Sequence, residues 1–417
     1  MKVLISGAGI AGNALAFWLS KVGHEVTVIE HFPQLRATGL QVDLRGHGVE
    51  VMKLMGIEKA VRDRLIDEQG VQVVGSSGKQ WAFFPVNKTG KGLQSLSTEH
   101  EILRGDLCRI LYDATGNRAT YLFGKSIDKL TQGEKSVEVR FKDQTTQTFD
   151  LVIGADGQGS MARKEMFKPD TTDKRSYGDL ITAYFTIPRK IQPGEEYTVT
   201  IYMAPDSRMI MTRRHAPDAM QVYLFCNSAR REMQGVRSLS VQDQKQAFAN
   251  VFKDAGWKMA EITDTMLQHT RDLYCERQAY VILDTWSRGN IVLCGDAAWA
   301  ASSNTGMGTT SAIVGAYVLA GEIARHCKDG DSANLAAALT AYDRTFQPFM
   351  RQVQRNLDNG SAGVKWPKSS LGITMANAAL GVCSFFKINV FGMILKEEIK
   401  DWELPVYEEL LSGKAQT

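Results

Sequence analysis

A parallel α/β domain carrying an inserted antiparallel sheet is the architecture this sequence predicts. Three observations predict it. The chain opens on an apolar strand, a glycine-rich turn and the start of a helix, Val3 to Gly12. Two later apolar runs, Leu151-Val152-Ile153 and Ile291-Val292-Leu293-Cys294, each lead through a glycine to an aspartate, Asp156 and Asp296. Between those two runs, residues 178–226 break into short β-rich stretches separated by turn residues, which is the pattern of an antiparallel sheet. Strands alternating with helices around such an insertion give an α/β core with a second, strand-built unit.

Taken in chain order, the first element is the most specific. Gly7 allows a tight turn, Gly9 lets the backbone approach a pyrophosphate, and Gly12 lets helix and strand pack closely. Ile10 and Ala11 complete the loop, and a helix is expected over Asn13–Val22. Free N–H groups and the helix dipole favour an anion at that helix start. A second strand, Glu25–Ile29, ends at Glu30, eighteen residues past Gly12. That acid is placed to accept hydrogen bonds from a ribose hydroxyl. The unit is therefore Rossmann-like.

An extended segment at 40–44 precedes expected helices at Val49–Met55 and Glu58–Leu65. Strands follow at 71–74 and 81–84, then a helix at Arg104–Ala114 and alternating strands and turns over 119–155. After the inserted sheet, helices are expected at Val241–Phe252 and Met259–Gln268. The long helices Thr310–His326 and Asn334–Asn356 come next, with Pro348 expected to kink or break the second. The apolar stretch Leu371–Leu395 is interrupted by Asn377, Ser384, Lys387 and Asn389, so it reads as two packed helices rather than a membrane span. The expected domains are 1–70, 100–175 and 285–330 for the cofactor, 71–99 and 176–284 for the substrate sheet, and 331–417 for C-terminal helices.

Composition narrows the function class. A net charge of +3 over 417 residues, with no long Lys/Arg run, argues against a nucleic-acid partner. The six cysteines are scattered, without CxxC or metal spacing, and read as reduced thiols of a cytoplasmic protein. The seven histidines lack ligand spacing too, so no metal is expected. Lys2 alone precedes the first apolar run, which holds the nucleotide loop and so is a core strand, not a targeting segment. A monomer or weak dimer without a stable membrane span is expected.

Beyond the first loop, Asp150–Arg163 and Gly289–Ala298 each put an aspartate just past a buried strand, where doubly wound sheets bind ligands. A second glycine loop, Thr305-Gly306-Met307-Gly308, opens a helix whose N–H groups would meet an electron-rich ring edge or a developing anion. With these three segments the chain resembles the group A flavin-dependent monooxygenases, the p-hydroxybenzoate hydroxylase-like family. Val42–Gly46, Glu101–Leu107 and Val314–Glu322 place the resemblance closest to the branch of tetracycline-inactivating monooxygenases and polyketide hydroxylases. It covers nearly the whole chain.

The resemblance implies a Rossmann-like FAD-binding domain with an inserted antiparallel β-sheet substrate domain and C-terminal helices. It also assigns roles. Glu30, with His31 beside it, would bind the adenosine ribose, and Arg104 would reach the pyrophosphate or adenosine side. Asp43 would lie by the ribityl and flavin side. Asp156 would belong to a segment serving FAD and reductant, and Asp296 would bind the ribityl chain or pyrophosphate. Gly306, Met307 and Gly308 would line the pyrimidine edge of the flavin. Arg104 as a surface-helix cap and Asp156 as a turn residue stand as alternatives. With one strand–GxGxxG–helix unit, NAD(P)H would dock transiently, with Arg45 and Arg163 as candidate contacts.

The implied reaction is hydroxylation of an aromatic or enolised polyketide-like molecule through a flavin C4a-hydroperoxide, using NAD(P)H and O2. One departure bears on it. The family commonly places a proline beside the flavin C4a, and Ser303 stands at that position here. A serine restores an N–H and loosens the loop, which keeps an FAD oxidase or dehydrogenase open as the alternative, with a flavin-bound sequestering protein behind it. On the substrate sheet, Tyr184, Phe185, Tyr202, Tyr223, Phe225 and the methionines 203, 209 and 211 suit a flat apolar substrate. Arg213 is the first candidate to anchor a phenolate, enolate or carboxylate oxygen.

Overall fold

The computed structural model describes residues 1–36, 39–87, 98–170, 175–270, 273–301, 305–328, 332–355, 367–388, 390 and 399–412. Two sheets organise them. The first runs in the order Ser287–Arg288, Ile291–Leu293, Leu151–Gly154, Lys2–Ser6, Glu25–Glu30 and Ala119–Phe123. All its pairings are parallel except that of the two-residue edge strand. The strands Lys2–Ser6, Leu151–Gly154 and Ile291–Leu293 are almost wholly buried, as continuous apolar strands covered on both faces must be. Helix Ile10–Lys21 packs between Arg104–Thr115 and Gly308–His326, and Leu335–Val353 covers the last of these.

The second sheet has seven strands, in the order Tyr274–Val281, Arg175–Pro188, Ala219–Asn227, Arg208–Ala216, Thr198–Ala204, Gly70–Val74 and Gln80–Pro85. It differs from the expectation in one respect. Gly70–Val74 pairs parallel with Thr198–Ala204, so the sheet is mixed. The reason is topological: Gly70–Val74 comes long before the insertion and joins its edge without a hairpin.

Alternation along these strands separates two faces. One carries Ile181, Ala183, Phe185, Val222, Leu224 and Ile210 into a core closed by helices Val241–Phe252 and Met259–His269. The other carries Thr182, Tyr184, Gln221, Tyr223, Phe225, Met209, Met211 and Arg213, which sit opposite one another in the register. Contacts from this second face to the parallel-sheet domain, described below, fix its direction.

Leu335–Val353 continues as one helix through Pro348, against the expected break. Phe346, Phe349 and Met350 around the proline are buried in the aromatic core, and that packing outweighs the lost backbone bond. Helix Ser370–Phe385 realises the first half of the apolar stretch, and most of the second half lies outside the described residues. It lies on strand Gln80–Pro85, where the Ser384 hydroxyl donates to the Phe83 carbonyl at 2.7 Å and accepts from its N–H at 3.0 Å. Among the described residues, no helix is long and apolar enough to cross a membrane.

Candidate active site

The nucleotide loop is shaped by what each glycine permits. A Cβ on Gly12 would sit 1.8 Å from the Gly7 carbonyl oxygen, and Gly7 itself has φ +110°. Both positions are closed to side chains by backbone. Gly9 is the opposite: nothing lies within 4 Å of where its Cβ would be, so it faces open space at the helix start. No side chain caps helix Ile10–Lys21, and its first turn has no acid. Uncapped N–H groups facing a gap are a ready site for phosphate.

Glu30 braces this loop and borders it. Its carboxylate accepts from the Ala8 and Phe32 N–H groups, each at 3.0 Å, and His31 Nδ1 lies 2.7 Å away. From the other side, the Asn13 amide donates to the Ala8 carbonyl at 2.7 Å and accepts from the Tyr121 hydroxyl at 2.9 Å.

At the other end, helix Gly308–His326 repeats the device. Its N-cap residue, Met307, makes no side-chain cap, and Gly308 faces open space among the described residues. The Arg45 guanidinium packs beside Gly306. Arg45 and Thr310 are tied by reciprocal bonds: the Arg45 N–H donates to the Thr310 hydroxyl at 3.0 Å, which donates to the Arg45 carbonyl at 3.3 Å. Asp43 pairs with the Arg45 side chain.

Between the sheets lies a small cavity of about 30 Å³, lined by Gln158 from the parallel-sheet domain and by Thr182, Tyr184, Phe225 and Glu276 from the large sheet. Burial raises the Asp296 carboxyl from its ordinary value, while Arg104 and Arg163 oppose that shift. Burial also raises Glu276, assisted by the charge of Asp296 and opposed by Arg104 and Arg237. Arg104, at the start of its helix, thus acts electrostatically on both acids. Burial of Tyr184 and Tyr223 raises both phenols well above the usual range.

The expected residues divide by setting. Gly7, Gly9, Ile10, Ala11, Gly12 and Glu30 assemble at one helix start, while Asp43, Gly306, Met307 and Gly308 assemble at the other. Asp156 is a turn residue. It accepts from the Met161 and Ala162 N–H groups at 2.8 and 3.2 Å and from the Ser160 hydroxyl at 2.5 Å, capping helix Met161–Met166. Arg163 is buried and donates to the carbonyls of Ala297, at 2.8 Å, and Gln158. Arg45 is buried as well. Neither arginine offers a surface contact to a docking reductant, because each is used inside the domain.

Arg213 also departs from expectation. Its guanidinium forks onto Glu68, at 3.0 and 2.6 Å, and reaches Glu101 at 2.8 Å. Two buried carboxylates occupy the fork that an anionic substrate would need. Ser303 lies outside the described residues. Sequence reasoning passed over Gln158, Glu276, Glu68 and Glu101. Glu101 carried a signal, an acid beside Ile102 in a short strand, whereas Glu276 lies on a half-buried stretch of its strand that marks no face.

Uncapped N–H groups facing open space after Gly9, an acid bracing that loop and a second glycine-led helix start fit FAD. These features define a dinucleotide-binding flavoprotein. A family model described as "FAD binding domain" matches residues 1–356, and the chain belongs to that family. It is 44% identical over 427 residues to "FAD-dependent monooxygenase asL4" of Sarocladium schorii, with 99% of each chain covered. It is 37% identical to "Flavin-dependent monooxygenase eupH" of Phoma sp, covering 91% of this chain and 92% of the relative. The fold is similar to the crystal structure of tetracycline destructase Tet(55), with a TM-score of 0.76, 26% identity and 97% and 98% of the two chains covered. The chain is an FAD-dependent monooxygenase.

Proposed function

We propose that this monooxygenase uses NAD(P)H and O2 to hydroxylate a flat aromatic or enolised, polyketide-like small molecule. The observation that carries the reading is the sheet face turned toward the parallel-sheet domain. Tyr184 and Tyr223 meet edge-on at 5.3 Å, and Tyr223 stacks on Phe225 at 6.3 Å. Met209 and Met211 extend the same face. Rigid aromatic surface with adaptable thioethers suits a fused, flat ring system. The similarity to a tetracycline destructase supports the same substrate class.

FAD, when bound, supplies the redox and oxygen chemistry. The chain's own residues hold and orient. The N–H groups after Gly9 would take the pyrophosphate, and Glu30 the adenosine ribose. Asp296 would take ribityl hydroxyls, with Arg104 balancing its charge. The helix start at Gly308, with Arg45 beside it, would favour negative charge on the flavin ring. The buried phenol of Tyr184 stays neutral and would donate a hydrogen bond to a substrate oxygen rather than act as a base, while the Tyr223 hydroxyl is already given to Gln221. Free thiols at all six cysteines fit a cytoplasmic setting.

The test is NAD(P)H consumption by the FAD-loaded protein with a panel of aromatic polyketides, together with product mass. Substrate-dependent consumption with a gain of one oxygen is expected. Consumption that yields only hydrogen peroxide would favour the oxidase reading, and no consumption the sequestering one.

A further inference from the structure

The Arg213 cluster is buried, charged and used by nothing in the reading above. Glu101 lies on strand Glu101–Leu103, which pairs antiparallel with Gln41–Asp43 so that Glu101 stands directly opposite Asp43. Opposed residues in such a ladder point to the same face, and like charges there repel. On its other side Glu101 shares Arg213 with Glu68. The side chains of Glu68 and Glu101 are 0% and 2% exposed, and that of Arg213 is 9% exposed.

The groups facing Glu101 come from every neighbouring element. They are Arg213 on Arg208–Ala216, Tyr223 on Ala219–Asn227, Glu68 ahead of Gly70–Val74, Asp43 across the ladder and Arg45 just beyond it. Glu68 and Glu101 share the Arg213 guanidinium out of water, and Asp43 adds a third acid across the ladder. A buried carboxylate that shares its cation and faces other acids is neutralised by taking up a proton. Glu101 is the place for it, since it alone stands between both other acids. Burial, together with Asp43 and Glu68, pushes its carboxyl up to about 8 despite Arg213.

The cluster is connected to the flavin end. Asp43 holds the Arg45 side chain, and Arg45 is fixed to Thr310 and packs beside Gly306. We infer that Glu101 is a positioning residue for the cofactor: protonated, it leaves the Asp43–Arg45 pair in place beside Gly306, and ionised, it competes with Asp43 for Arg45 and loosens that end of the FAD site. The inference rests on FAD binding by this chain and not on the proposed substrate.

The experiment measures FAD affinity of the full chain without turnover, by quenching of flavin fluorescence, from about pH 6 to about pH 10. In the wild type the dissociation constant is expected to rise roughly fivefold, the lower end of ordinary site-to-site coupling, as pH passes through about 8. Glu101→Gln, which fixes the neutral state, should hold the low-pH affinity throughout. Glu68→Gln removes one repelling acid and leaves Arg213 to Glu101, so the transition should move to lower pH. A merely structural role would weaken binding equally at every pH. A flat wild-type profile, an unchanged transition in Glu101→Gln, or an unmoved midpoint in Glu68→Gln would each overturn the inference. The Glu68→Gln arm stands by itself should Glu101→Gln fail to fold.

Discussion

The two ends of the site are polar in different ways. At the nucleotide loop the polarity is backbone: N–H groups at an uncapped helix start, exposed because Gly9 has no side chain and because Gly7 and Gly12 let two chains approach within van der Waals limits. At the sheet end the polarity is in side chains, and these have largely satisfied one another, as Arg213 with Glu68 and Glu101 and the Tyr223 hydroxyl with Gln221 at 2.9 Å. A backbone site recognises what every dinucleotide shares and admits little variation. A side-chain site can be rewritten residue by residue, so under the proposed function substrate choice would belong there and cofactor choice at the loop.

The strongest way to break this contrast is at the glycines. Gly12→Ala forces a methyl to within 1.8 Å of the Gly7 carbonyl, an overpacking that costs about 3 kcal/mol or more because the obstacle is backbone. Thermal unfolding should show a large loss of stability together with lost FAD binding. Gly9→Glu should separate the two: the fold survives, since the side chain enters open space, but the protein purifies colourless. A yellow Gly9→Glu protein with stoichiometric FAD would contradict the assignment of that gap to the pyrophosphate.

At the sheet end, Arg213→Met should cost about 3–5 kcal/mol, because the buried Glu68 carboxylate loses its cation and Glu101 the guanidinium beside it. Chemical denaturation measures it. A loss below about 1 kcal/mol, the range of solvent-screened pairs, would mean that water reaches the cluster.

A smaller effect follows from pH. Glu101 is raised in the folded state, so the fold holds a proton that the unfolded chain releases above about 4.5. Its stabilising contribution is complete below that value and is lost as pH rises toward about 8. Melting of the FAD-free protein should therefore show a decline over this window that Glu101→Gln lacks. Smallest of all for the fold, Tyr184→Phe should leave FAD affinity unchanged while raising KM for the substrate, as steady-state kinetics and FAD titration together would show.

The same contrast explains what the sequence makes legible. Gly7, Gly9, Gly12 and Glu30 are set by local geometry over thirty residues, so their spacing alone makes the strand–turn–helix unit legible. Helix Val241–Phe252 is legible for the same reason and is found with the expected bounds. Arg213 is not, because its partner Glu68 is 145 residues away and only strand register brings them together. The parallel seating of Gly70–Val74 in the large sheet and the inward turn of Arg163 onto Ala297 were hidden likewise, since each depends on what arrives from elsewhere in the chain, whereas the capping by Asp156 is local and was legible as a turn. Pro348 shows the converse, where packing keeps one unbroken helix across a residue that could have ended it.

The most direct test of the account is labelled dioxygen supplied to the FAD-loaded protein with NAD(P)H and an aromatic polyketide on which NAD(P)H consumption depends. One labelled oxygen atom is expected in the product. Consumption of the reductant with all label recovered as hydrogen peroxide or water, and none in the organic product, would contradict it.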